Sequence, residues 1–211
     1  MNCQCQGIEE LFDQQHVNKE LARYRSKGPS KTTSMLADAV KKEGVEGLTL
    51  LDIGGGVGAI QHELIEAGVQ QVIDVDASSA YIAAAREEAQ RRGQIDRVRF
   101  HHGNFVDLAT AIPPADIVTL DRVICCFDDM EQLVSLSAAR ARKFYGLVFP
   151  RDTWWLKVGL ALGNWLLRLR RSDYRGFVHP TEKVDALLQK AGFQRKSFRR
   201  TLIWQVVTYT R

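Results

Sequence analysis

The spacing of apolar positions along this chain changes several times, and each change marks an element. In "IEELFDQQHVNKELARYR" and "PSKTTSMLADAVKKEG" apolar residues recur three and four apart, which predicts two helices before the first strand. Pro29 suits the first turn of a helix, and Gly44 suits a C-terminal cap. Short apolar runs then alternate with helical segments. "LTLLDI" predicts a strand and residues 58–67 a helix; "QQVIDVD" predicts a strand and 79–92 a helix ended by Gly93. "RVRFHH" is a third strand before a short helix near 105–111, and "ADIVTLD" a fourth before a helix over about 128–142. "KFYGLVFP" is a fifth. Apolar runs separated by helices predict a parallel sheet covered on both faces. After the helix "TEKVDALLQKAGF", the runs "FQRKSFRR" and "LIWQVVTYT" follow in direct succession, so they pair as a hairpin. The expected fold is α/β, a doubly wound, mostly parallel seven-stranded sheet with a C-terminal antiparallel hairpin.

One segment departs from this alternation. From Trp154 to Leu169 only Lys157, Asn164 and Arg168 are strongly polar, and they form one narrow stripe on a helix. Sixteen residues, so interrupted, are too few for a membrane span. Three placements stay open for residues 154–171: packing in the core or a homodimer interface, a lid over a flat apolar substrate, or a helix on a membrane surface with "RLRR" beside anionic headgroups.

Composition narrows the class. The 211 residues suffice for one well-covered domain, and 45% hydrophobic with 26% charged content suits a globular protein. "MNCQCQGIEELFDQQ" shows no basic region followed by an apolar core, which predicts no signal peptide. The cysteines fall as two close pairs, Cys3/Cys5 and Cys125/Cys126, so free thiols and a cytoplasmic location are expected. No spacing predicts a metal site. His101 and His102 point to opposite faces of one strand and, with His16 and His62, read as ordinary polar residues. The net charge of +4 hides an asymmetry. Residues 1–139 hold 13 Lys/Arg against 21 Asp/Glu, a net −8, and residues 140–211 hold 16 against 4, a net +12.

Chemistry concentrates in "LTLLDIGGGVGAIQHELIEAG", where glycines link a strand to a helix. Gly54, Gly56 and Ala59 fit G-x-G-x-x-A, a pattern shared by several ligand classes. Asp52 discriminates among them: an acid two residues before the first glycine repels a pyrophosphate and suits a cationic group. Asp76 ends the second strand, where a carboxylate can take both hydroxyls of a ribose. Asp74 lies deeper on that strand and reads as structural.

Four motifs in order, "LLDIGGGVG", "VIDVDAS", "HHGNF" and "ADIVTLDRVICCFDDME", resemble class I S-adenosylmethionine-dependent methyltransferases over about residues 45–150. The resemblance implies a Rossmann-like methyltransferase using S-adenosylmethionine. It implies that Asp52 orients the methionine amino group, that Gly54, Gly56 and Gly58 allow close approach, and that Asp76 with Ala77 takes the ribose. Asn104, where the family has Asp, and Phe105 would frame the adenine, the Asn carbonyl accepting from the amino group. Asp121 and Arg122 would lie beside the methionine part, and Arg25 would reach its carboxylate from a closing N-terminal segment. The implied organisation is a single domain, 1–211: a helical cap over 1–44, a cofactor core over 45–150, an apolar lid insertion over 151–179, and a final helix and hairpin over 180–211.

The insertion also resembles the corresponding part of magnesium-protoporphyrin O-methyltransferases, through "LVFPRDTWWLKVG" and "RRSDYRGFVHP". This implies a small-molecule acceptor, bulky and apolar or acidic. Tyr174, Arg175, His179, Trp155 and Cys126 are the expected acceptor contacts, with His179 and Asp121 as candidate catalytic groups. His179, at the boundary of the helix begun by Pro180, would be held neutral and able to act as a base. A nucleic-acid amino-methyltransferase would carry an Asp/Asn-Pro-Pro-aromatic run after the fourth strand, where this chain has "LDRVICCF". A non-catalytic module binding the same cofactor is the other alternative.

Overall fold

The computed structural model describes residues 3–170 and 172–211. Three helices precede the first strand: α1 (Cys3–Leu11), α2 (Gln14–Lys27) and α3 (Lys31–Lys41). The sequence predicts two, because the apolar spacing runs on through residues 8–25. The break comes from Asp13, whose carboxylate accepts from the His16 N–H at 2.8 Å and starts α2 afresh. Ser30, not Pro29, caps α3.

The remaining elements alternate as the pattern predicts: β1 (Thr49–Ile53), α4 (Ala59–Glu66), β2 (Gln71–Asp76), α5 (Ser79–Arg91), β3 (Val98–His102), α6 (Phe105–Leu108), β4 (Ala115–Asp121), α7 (Met130–Arg140) and β5 (Ala141–Pro150). Then come α8 (Trp154–Leu169), α9 (Thr181–Lys190), β6 (Gln194–Arg200) and β7 (Trp204–Thr210). The sheet order is β3-β2-β1-β4-β5-β7-β6. β7 inserts between β5 and β6 and runs antiparallel to both. Chain order reverses between β1 and β4, and that crevice is where a doubly wound sheet binds its ligand.

The central strands β1, β4 and β7 are buried on both faces, while the edge strand β6 is largely exposed. Leu133, Val134, Val184 and Leu188 of α7 and α9 cover one side, and Leu36, Val40, Ile60 and Leu64 of α3 and α4 the other. A third cluster joins Val17, Leu21 and Tyr24 of α2 to Val57 and Tyr81, so α2 packs across the glycine turn and α5. Gly7 lets α1 press on the backbone of residues 173–174, where a Cβ would collide with Asp173 and Tyr174.

The insertion departs from one of its readings, packing in the core. No residue of α8 is buried, so the helix is not part of the core. It also does not contribute to the walls of the central cavity. It leans on the following loop through Asn164, which donates to the Gly176 carbonyl at 2.8 Å and accepts from its N–H at 2.9 Å. No described helix is long and apolar enough to cross a membrane.

Candidate active site

Three carboxylates converge on the crevice because each ends, or nearly ends, a parallel strand. Register sets Asp52 of β1 opposite Thr119 of β4, and the Thr119 hydroxyl donates to Asp52 Oδ1 at 2.7 Å. Oδ2 of Asp52 is buried with no hydrogen-bond partner among the described residues. Burial pushes the Asp52 carboxyl up to about 7, against the Thr119 hydrogen bond and with help from Asp121 and Asp76. A buried, half-satisfied carboxylate on a cavity wall is a strained arrangement that a bound cation relieves. Asp76 accepts from the Ser78 N–H at 2.8 Å and the Gly56 N–H at 3.1 Å, and burial still raises it to about 6. Asp74 lies behind them, fully buried, accepting from Gln61 at 3.1 Å, which fits its structural reading.

The glycine turn needs its glycines for backbone reasons. Gly54, Gly56 and Gly58 have φ of 67°, 58° and 82°, a left-handed region that a side chain rarely adopts. At Gly54 a Cβ would also strike the Val123 side chain.

One cavity of about 350 Å³ joins these groups. Asp52, Gly54, Gly56, Asp76, Ala77, Asn104, Phe105, Asp121 and Arg122 all line it. Its roof is N-terminal: Ile8 and Phe12 near α1, His16 and Glu20 of α2. The roof is latched, since Glu9 accepts from the Ser79 N–H at 2.9 Å and Tyr81 donates to Glu20 at 2.5 Å.

Arg122 is the non-glycine residue with positive φ, 62°, among the described residues. That backbone costs about 1–2 kcal/mol for an L-residue. It turns the side chain back over the strand ends. The guanidinium donates from Nε to Asp121 at 3.1 Å and lies 3.4 Å from the Thr33 hydroxyl, which itself donates to Asp121 at 2.6 Å.

Several expected site residues stand elsewhere. Arg25 does not reach the cavity: it donates to Glu88 and Glu87, each at 2.8 Å. Burial alone would raise the Glu88 carboxyl, but Arg91, Arg25 and Arg92 hold it well below the usual range. The network anchors α2 to α5. His179 faces the backbone, with Nε2 donating to the Ile124 and Phe127 carbonyls at 2.8 and 2.9 Å. Burial keeps its pKa low and the ring neutral, yet Nε2 must carry the proton, and the residue lies outside the cavity lining. Pro180, not His179, occupies the cap position of α9. Arg175 turns onto its own loop, donating to the Ser172 and Tyr174 carbonyls at 2.5 Å. Trp155 sits on α8, outside the cavity. The Asn104 carbonyl caps α6 by accepting from Val106 at 3.1 Å, so only its second lone pair faces a ligand.

Cys126 and Tyr174 do reach the cavity, 3.2 Å apart from thiol to hydroxyl. Hydrogen bonds from Cys125 and Tyr174 draw the Cys126 thiol down, while Cys125 is raised. Sequence reasoning missed the roof residues Phe12, His16 and Glu20, and also Thr33 and Tyr81. Thr119 carried a readable signal, as a hydroxyl inside the apolar run "ADIVTLD". The side chains of Cys3 and Cys5 lie outside the described residues.

A family model described as a methyltransferase domain matches residues 45–154. Ribosomal protein L11 methyltransferase of Alkaliphilus metalliredigens (strain QYMF) is 31% identical over 91 residues, 43% of this chain. That match spans 28% of the relative's own length. Among solved structures, magnesium protoporphyrin IX methyltransferase from Synechocystis PCC 6803 with bound SAH aligns at a TM-score of 0.74 and 20% identity, covering 99% of each chain. An O-methyltransferase family protein from Burkholderia thailandensis aligns at 0.70 and 19% identity, covering 94% of this chain and 60% of that one.

Proposed function

The chain belongs to the methyltransferase-domain family and is a class I S-adenosylmethionine-dependent methyltransferase; from that premise we propose that it methylates a small, largely apolar acceptor inside the roofed cavity. The observation that carries this is the roof itself. Ile8, Phe12, His16 and Glu20 close over the strand ends, and the walls beside them include Val123, Phe127, Leu133 and Tyr174. An acceptor reached under two helices is a small molecule rather than a duplex or a folded protein. The charged walls are mostly acidic, Glu20, Asp52, Asp76 and Asp121 against Arg122, which disfavours an acidic acceptor. The basic residues of the tail half belong to another surface.

The cofactor supplies an electrophilic methyl on a sulfonium. The residues fit it. The unpartnered Oδ2 of Asp52 would accept from its amino group, and Asp76 would take the ribose hydroxyls beside Ala77. Asn104 and Phe105 would frame the adenine. Arg122, rather than Arg25, would meet the methionine carboxylate, with Thr33 and Asp121 fixing its guanidinium. Asp121 is thereby a positioning residue, already accepting two hydrogen bonds. Holding nucleophile and methyl in line supplies most of the acceleration, so the chain's main task is orientation.

Tyr174 and Cys126 are the polar groups we assign to the acceptor end. If the acceptor is a hydroxyl, Cys126 is the group placed to take its proton; a carboxylate acceptor needs no base. A screen of small apolar alcohols and phenols, with carboxylic acids as the disfavoured controls, and methyl-labelled S-adenosylmethionine tests the reading. Label should enter the alcohols or phenols, and Cys126→Ser should slow hydroxyl methylation about 100-fold while leaving cofactor affinity unchanged. Label appearing in RNA or protein, with none in small molecules, would overturn the proposal.

A further inference from the structure

α8 carries its apolar residues on the wrong side for packing. Trp154, Val158, Leu162, Trp165 and Leu169 are 77%, 60%, 58%, 55% and 63% exposed. They recur at i, i+4, i+8, i+11 and i+15, one stripe of a helix facing away from the body. The opposite side makes the attachment, through Asn164 to Gly176 and Leu160 against the same glycine. A second apolar group, Leu202 on the β6–β7 turn, is 74% exposed. Arg151 ties that turn to the foot of α8, its N–H donating to the Ile203 carbonyl at 2.8 Å and its guanidinium to that of Leu202 at 3.2 Å. An exposed apolar patch with three tryptophans, Trp155 included, marks a surface that meets something.

The surrounding charge says what it meets. α8 contains no Asp or Glu; Arg168 and Lys157, the latter paired with Asp152 at 2.5 Å, run along one margin of the stripe, and Arg170 closes its end. Arg200 lies exposed at the end of β6, where the strand enters the turn, within a tail half of net charge +12. Two copies meeting through this face would bring guanidinium against guanidinium with no helix acid between them. An apolar stripe flanked by cations, with tryptophans at its edge, fits a bilayer's anionic interface.

We propose that α8 and the β6–β7 turn form a docking surface for an anionic phospholipid leaflet, the helix lying in the plane of the interface. The loop from α8 continues directly to Tyr174 on the cavity wall, so docking would bring the acceptor end close to the lipid. The proposal does not depend on turnover or on the acceptor's identity.

The test is sedimentation of the full chain with vesicles of phosphatidylcholine, with and without phosphatidylglycerol. Vesicles containing phosphatidylglycerol should pull the protein down with a blue-shifted tryptophan emission, and phosphatidylcholine alone should bind about tenfold more weakly or less. The pair Leu162→Glu and Trp165→Glu should abolish binding while the affinity for S-adenosylhomocysteine stays unchanged. Arg168→Glu with Arg170→Glu keeps the stripe and should lose the preference for phosphatidylglycerol, about fivefold per charge removed. Equal sedimentation with both vesicle types, or with neither, overturns the proposal. So does a dimer in solution that the Leu162→Glu/Trp165→Glu pair converts to monomer, which would assign the face to a second copy.

Discussion

At the residue scale, the half-satisfied carboxylate of Asp52 governs how the protein answers to pH. It titrates near 7 in the fold against 3.8 in an ordinary setting, so the folded chain holds this proton more tightly than the unfolded one. Its contribution to the stability of the ligand-free protein is complete below about pH 4 and is lost as pH rises toward 7. Cofactor binding runs the other way, since only the ionised carboxylate attracts the amino group. The melting-temperature rise produced by S-adenosylhomocysteine should grow between pH 5.5 and 8, and Asp52→Asn should flatten that slope; a rise independent of pH in the native chain would separate Asp52 from the ligand. His179 makes the opposite kind of prediction. Its Nε2 proton is shared by two backbone carbonyls, so His179→Ala should cost about 1–3 kcal/mol of stability with turnover and cofactor affinity intact. A large loss of turnover at unchanged stability would return it to the chemistry. At Arg122, Ala and Gly substitutions both delete the guanidinium, but only Gly relieves the positive φ. Arg122→Gly should therefore be about 1 kcal/mol more stable than Arg122→Ala, with cofactor affinity reduced equally in both. Denaturant titrations alongside calorimetry read the two effects separately.

At the element scale, α1 and α2 cover the cofactor end of the sheet without belonging to the sheet's own core. α2 buries Val17, Leu21 and Tyr24 against Val57 and Tyr81, and Arg25 ties it to Glu88 on α5. Removing residues 1–30 should lower affinity for S-adenosylhomocysteine at least tenfold and leave a cooperatively folded sheet; full affinity would reduce these helices to packing. The strands were readable because a buried parallel strand has a short, apolar signature, and "LLDIGGGVG" and "VIDVDAS" mark two strand ends, whereas the place of β7 between β5 and β6 is set by tertiary pairing. Asp52 and Asp76 were readable for the same reason, being fixed to those ends by local sequence. Arg25, His179 and Arg175 stand away from the cavity because the partners that claim them, Glu88 and the carbonyls of Ile124, Phe127 and Ser172 among them, are set by tertiary packing. The placement of α8 in the core fails because its spacing shows an apolar helix but not which way the helix faces.

At the scale of the whole molecule, the two charge halves have different work. The acidic half, residues 1–139 at net −8, contributes the carboxylates around the crevice, and the basic half surrounds the exposed apolar face. The proposed docking face thus lies apart from the crevice, and ligand affinity can be measured without lipid or acceptor. The claim on which everything else stands is that the crevice holds a cationic, phosphate-free nucleoside through Asp52 and Asp76. Calorimetric titration of the native chain, Asp52→Ala and Asp76→Ala with S-adenosylhomocysteine, and separately with NADH, tests it most directly. The account predicts binding of S-adenosylhomocysteine to the native chain, a loss of about 1–3 kcal/mol in each variant, and no heat with NADH. Binding of NADH in its place, or unchanged affinity for S-adenosylhomocysteine in both variants, would contradict it.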